Sequence, residues 1–187
     1  MLEDDEKALN EYFSGTFRAA ILSEDEKRAK KEILRKSLSE DLTSPGVFCR
    51  WLKDACEHRD GEELDNILLL GWTFELFDEE TVTILEQISL ENWVKTNNLE
   101  DMVGLIERCG GPENVKILAS MAVQKYPGHY LGEDDEHITR KAMWALHRLY
   151  KEKGKEDALE KIKELSTCGD SMVEGFAKHH LEKFGAK

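Results

Sequence analysis

Residues 132–141, GEDDEHITRK, place four acids and a histidine ahead of a basic pair. Side chains of these types support three kinds of chemistry. His137 with Asp134 or Asp135, joined by His129 from the preceding loop, offers oxygen and nitrogen ligands for a divalent cation. Carboxylate beside imidazole is also the material of acid–base catalysis. The wider loop KYPGHYLGEDDEH sets Tyr126, His129 and Tyr130 next to Asp134, Asp135 and Glu136, which is how a polar protein interface is built, with rings as anchors and acids for steering. A fourth reading is purely local. Asp134 or Asp135 is placed to cap a helix, Glu136 falls in its first turn against the positive end of the dipole, and Arg140 or Lys141 follows within pairing distance of Glu136. The helix start accounts for most of the acids' local role.

The rest of the chain discriminates among the first three. The four cysteines, Cys49, Cys56, Cys109 and Cys168, form no CxxC pair and match no zinc spacing. His179 and His180 are adjacent, so on a helix they point about 100° apart, and no HExxH pair occurs. The expectation is therefore no metal and no cofactor. No nucleophile elbow and no glycine-rich phosphate loop appears, so the chain is not expected to be an enzyme. The partner surface remains. Trp72, Trp93 and Trp144 are read first as core residues. Trp93 is the best surface candidate, because SLENWVKTNN reads as a junction between helices. The residues expected to bind a partner are thus Trp93, Tyr126, His129, Tyr130, Asp134, Asp135 and Glu136.

Charge narrows the partner. With 26 basic and 39 acidic residues the formal net charge is −13. Such a field repels nucleic acid and anionic membrane and draws basic proteins inward. The one basic run, KRAKKEILRK, spreads its charges over several sides of a helix. The first residues, MLEDDEKALN, are acidic and lack an apolar run, so neither a signal peptide nor a membrane span is expected. Free thiols and a cytoplasmic location fit together.

These residues need elements to hold them. Only three prolines occur in 187 residues, hydrophobic residues make up 40%, and no stretch alternates like a strand. The expectation is an all-α protein. Leu9, Tyr12, Phe13, Phe17, Ala20 and Ile21 recur at helical spacing. Ser23 then caps SEDEKRAKKEILRKSL, and Val47, Phe48, Trp51, Leu52 and Ala55 open a third helix after Ser44-Pro45-Gly46. From about residue 62 the pattern becomes one of helix pairs. NNLEDMVGLIERCGGPENVKILASMA overlays EHITRKAMWALHRL and KEDALEKIKELS after a shift of about 40 to 44 residues, the period of HEAT and armadillo units. Met102 falls on Ala142, Leu105 on Ala145, Ile106 on Leu146 and Cys109 on Leu149. A pair of this kind cannot bury its apolar face alone, so neighbours must stack into an α-α superhelix. Residues 1–60 are expected as an N-terminal helical extension that packs on or caps repeats at 61–187, the whole forming one continuous domain.

The run LEDMVGLIERCGGPENVKILASMA, followed by the acidic tyrosine-containing loop, DDEHITRKAMWALHRL and EDALEKIKELSTCGDSMVEGFAKHHLEKF, resembles the HEAT-like immunity proteins of bacterial polymorphic toxin systems. The resemblance spans residues 62–185. STCGDSMVEGFAKHHLEKF lacks the proline and arginine of a standard HEAT repeat, and residues 1–60 lie outside the likeness. What it implies is a small cytoplasmic protein that binds and neutralises a cognate toxin domain, with a basic nuclease as a partner the charge would suit. The alternatives are a HEAT-like scaffold or adaptor with another protein partner, and a HEAT-like DNA-acting enzyme of the alkylpurine glycosylase kind. The acidity argues against the second of these.

Overall fold

A computed structural model describes residues 3–14, 23–41, 46–94, 96–126 and 136–184. The protein is all-α, as expected, with no strand among the described residues. The helices run α1 (Glu3–Ser14), α2 (Glu24–Ser37), α3 (Val47–His58), α4 (Gly61–Phe74), α5 (Glu79–Ile88), α6 (Thr96–Cys109), α7 (Asn114–Val123), α8 (Glu136–Lys153), α9 (Glu156–Leu165) and α10 (Ser171–Phe184). They fall into two compact units, Met1–Leu76 and Phe77–Lys187. The division thus lies after Leu76 rather than at residue 60. The helix read as the start of the repeats, α4, packs on α3 and α1 of the first unit instead.

In the first unit, α2 begins as its sequence dictates. Ser23 accepts from the Glu26 amide while the Glu26 carboxylate accepts from the Ser23 amide, a reciprocal capping box. Three acids in its first turn and Arg35 and Lys36 in its last complement the dipole. Asp5 of α1 is buried, and both of its oxygens are used. The backbone N–H of Ser39 donates at 2.7 Å and the Ser39 hydroxyl at 2.6 Å, which ties the end of α2 to α1. Phe48, Trp51, Leu52 and Ala55 form the buried face of α3, as their spacing predicts. The rest of the first predicted helix, Phe17, Ala20 and Ile21, lies outside the described residues.

The second unit stacks its helices in order. From α6 onward the principal contacts join each helix to the next and to the next but one: α6 to α7 and α8, α7 to α8 and α9, α8 to α9 and α10, and α9 to α10. That is the contact pattern of helices paired and layered along one axis. Of the overlaid positions, Met102, Leu105 and Ile106 of α6 and Ala142, Ala145, Leu146 and Leu149 of α8 are fully buried, while Cys109 is only half-buried.

A polar knot sits where α5, α6, α7 and α9 meet. Glu86 of α5 is 8% exposed and accepts the Gly111 amide, but its Oε1 has no partner. Asn114, the first residue of α7, donates to the Ile106 carbonyl at 3.3 Å and accepts from Lys155 Nζ at 2.7 Å. Burial pushes the Glu86 carboxyl above its ordinary range, and Glu113 adds to that, while the Gly111 amide and Lys155 oppose it. The raised value means that the folded state holds this proton better than the unfolded chain does. The associated stability is complete below the ordinary glutamate range and is lost as pH rises through the raised value. Glu86→Gln carries no charge at any pH. It is expected to be more stable than the parent at pH 7, with the gain vanishing as pH falls into the ordinary glutamate range near about 4, by urea denaturation at both pH values.

Candidate functional site

Of the residues singled out by sequence, His129, Tyr130, Asp134 and Asp135 lie outside the described residues, as does the proposed cap of α8. Glu136 is the first residue of α8 and is exposed. Lys141, read as a partner for Glu136, stands instead 3.7 Å from Glu100 of α6, and His137 Nε2 stands 3.5 Å from the same carboxylate. The local ion pair expected within one helix is for Lys141 an interhelical one, because α8 lies alongside α6.

Tyr126 does not offer its ring to a partner. It is 5% exposed, and its hydroxyl donates to the Ser89 carbonyl at 3.0 Å. The ring fills the interior and the hydroxyl satisfies a buried carbonyl at the end of α5, so this tyrosine belongs to the core. Trp93 is half-buried in the turn between α5 and α6. The exposed indole is Trp144, at 36%. The helical pattern contained that information. The buried stripe of α8 is Ile138, Ala142, Ala145, Leu146 and Leu149, and position 144 falls on the opposite side of the wheel.

Around Trp144, α8 and α10 make one continuous surface. Lys183 Nζ sits 4.4 Å from the Trp144 ring centroid in a cation–π arrangement. His180 meets the indole edge-on, with centroids 4.6 Å apart, and His147 lies 5.3 Å away. Along α10, Met172, Gly175, Phe176 and His179 recur at helical spacing and lead one turn on to Lys183. With Glu136 and Ser171 they line an open groove of about 510 Å³ with a mostly apolar wall. Gly175 faces open space in this groove: a Cβ there would meet nothing within 4 Å. On its other side, α8 is held to α6 by Arg148, which makes two parallel bonds to the Glu107 carboxylate, and by Lys153, whose Nζ donates to the Glu107 and Arg108 carbonyls at the end of α6.

No group of three or more His, Cys, Asp or Glu able to hold a metal ion occurs among the described residues. No described helix is long and apolar enough to cross a membrane. Compared with family models, with curated proteins and with solved structures, the chain matches none of them.

Proposed function

We propose that this protein is a non-enzymatic protein-binding module that neutralises a cognate toxin domain in the cytoplasm, as the sequence resemblance implies. The observation that supports this reading is the α8–α10 face, where an exposed tryptophan and an apolar groove with Glu136 at its rim lie on one pair of helices. Aromatic anchors beside unfilled apolar pockets are where binding energy concentrates in protein interfaces. The net charge of −13 adds attraction for a basic partner, such as a nuclease whose nucleic-acid site the acidic surface would cover. Asp134 and Asp135 extend that acidity just ahead of Glu136. The protein binds no nucleic acid itself and needs no cofactor on this reading.

The test is co-expression with a candidate toxin domain, taken from a large toxin gene where one lies immediately upstream. Growth arrest by that domain alone, relieved by this protein, is the expected result. Arrest that persists despite full-level expression of both would remove the immunity reading. Within such a complex, Trp144→Ala is expected to weaken binding about 30-fold or more, the size of a hot-spot loss of about 2 kcal/mol. Gly175→Leu should fill the groove and weaken binding without lowering thermal stability, since leucine is the better helix former. Double reversal of Asp134 and Asp135 to lysine should slow association, more at low salt than at high. Surface plasmon resonance reads all three, and an affinity unchanged by Trp144→Ala and Gly175→Leu would move the interface elsewhere.

A further inference from the structure

His147 and His180 face each other across the seam between α8 and α10 with their Nδ1 atoms 3.0 Å apart. At that distance one nitrogen must carry a hydrogen and the other must accept it. His180 is 1% exposed, and its other nitrogen, Nε2, is buried with no partner. Two imidazoles supply only half of a tetrahedral ligand set, so the geometry is that of a shared proton. We propose that this pair makes the docking of α10 on α8 acid-sensitive: the seam is closed while the histidines share one hydrogen, and acidification opens it.

The chemistry follows from counting hydrogens. A first added proton leaves a single N–H between the two Nδ1 atoms and is tolerated. A second places two N–H groups head to head with no lone pair left to receive either. It also sets two cations together in a site already ringed by positive charge. From α8 the charges acting on the pair are Lys151, Arg148 and Glu152, and from α10 they are His179 and Lys183. Glu152 favours protonation, and Arg148 is itself held by Glu107.

Burial is the largest cause lowering both rings, and it takes His180 to about 4. The unfolded chain binds protons at the ordinary histidine value of about 6.5. A base with a depressed folded value confers stability that is complete above about pH 6.5 and is lost as pH falls toward 4. One proton taken up on opening multiplies the open population by as much as tenfold per pH unit, or about 30-fold between pH 6.5 and 5.0. The stripe of α10 that lines the groove would move with the seam, so a partner bound there would be released by acid. That consequence rests on the proposed binding face, whereas the switch does not.

The experiment is amide hydrogen exchange on the full chain at pH 7.0 and 5.0, corrected for intrinsic rates, with α7 as internal reference. Protection of α10 is expected to fall about 30-fold relative to α7 at the lower pH. His147→Gln should flatten the response, because its amide oxygen accepts from the protonated His180. His180→Gln should abolish it, and His179→Gln should leave most of it, since His179 is a lesser cause than burial. Should His180→Gln fail to fold, His147→Gln decides. An α10-to-α7 ratio that does not change with pH in the native protein would overturn the proposal. So would a His147→Gln protein that keeps the full response, or two imidazoles titrating near 6.5 by NMR while α10 stays protected.

Discussion

Replacing Gly110 with alanine is expected to destabilise the second unit by about 3 kcal/mol, while the same replacement at Gly104, six residues earlier, stabilises it by about 0.5 kcal/mol. The two glycines differ in what a methyl group would meet. At Gly110 it would stand 2.2 Å from the Ile106 carbonyl oxygen, 2.7 Å from Asn114 Cβ and 2.8 Å from Glu86 Oε1. The first contact is with backbone and cannot rotate away. That carbonyl already accepts from the Gly110 amide at 2.9 Å and from Asn114 Nδ2, so moving it breaks the turn that ends α6 and the start of α7 together. At Gly104 a methyl meets nothing within 4 Å, and alanine simply has less backbone entropy to lose. Equilibrium urea unfolding of both variants reads the difference. A Gly110→Ala protein as stable as the parent would show that the turn relaxes freely and that the polar knot around Glu86 does not constrain it.

That turn illustrates what the sequence discloses and what it withholds. Gly110-Gly111-Pro112 is legible as a helix stop from composition alone, and so are the caps at Ser23 and Asp78, because each depends on residues within one turn of the chain. The apolar stripes of α6 and α8 are legible for the same reason: helical period is a local property, and burial follows from it. Glu86 is legible only in part. Helical phase puts it beside Val82 and Leu85 on the buried side, but nothing in EETVTILEQI shows what it meets there, the Gly111 amide of the α6–α7 turn and Lys155 at the start of α9. Asp5 and Ser39, 34 residues apart, are hidden likewise. The candidate surface divides along this line. Tyr126 was read as exposed from the loop that follows it, yet its ring turns inward to a carbonyl 37 residues away. Trp144 was exposed by its own helical phase. The His147–His180 pair was half legible: positions 173, 177 and 180 place His180 on the buried stripe of α10, but only packing reveals which residue of α8 meets it.

Arg148→Ala is expected to lower stability by about 2 kcal/mol, and Arg148→Lys by about 1 kcal/mol. Arg148 presents a planar fork to both oxygens of Glu107, whose side chain is only 14% exposed. Removing the guanidinium leaves that carboxylate half-sunk between α6 and α8 without its strongest partner, which is the costly way to break such a pair. The loss stays below that of a fully buried pair because Arg148 itself is 39% exposed and water can repair part of the damage. Lysine keeps the charge but offers a single point rather than two parallel bonds, so it should recover only half. Glu107→Gln made together with Arg148→Ala should be less harmful than the sum of the two, since the second change removes the stranded charge the first creates. A double-mutant cycle by thermal or urea unfolding measures this coupling directly. Strict additivity would mean that the pair is solvated decoration and that α6 and α8 are held by their buried stripes alone. A coupling of about 1 kcal/mol or more would make the Glu107–Arg148 bridge, with Lys153 of α8 donating to the same turn of α6, a clamp that fixes α8 on one flank and leaves Trp144 and the α10 seam free on the other.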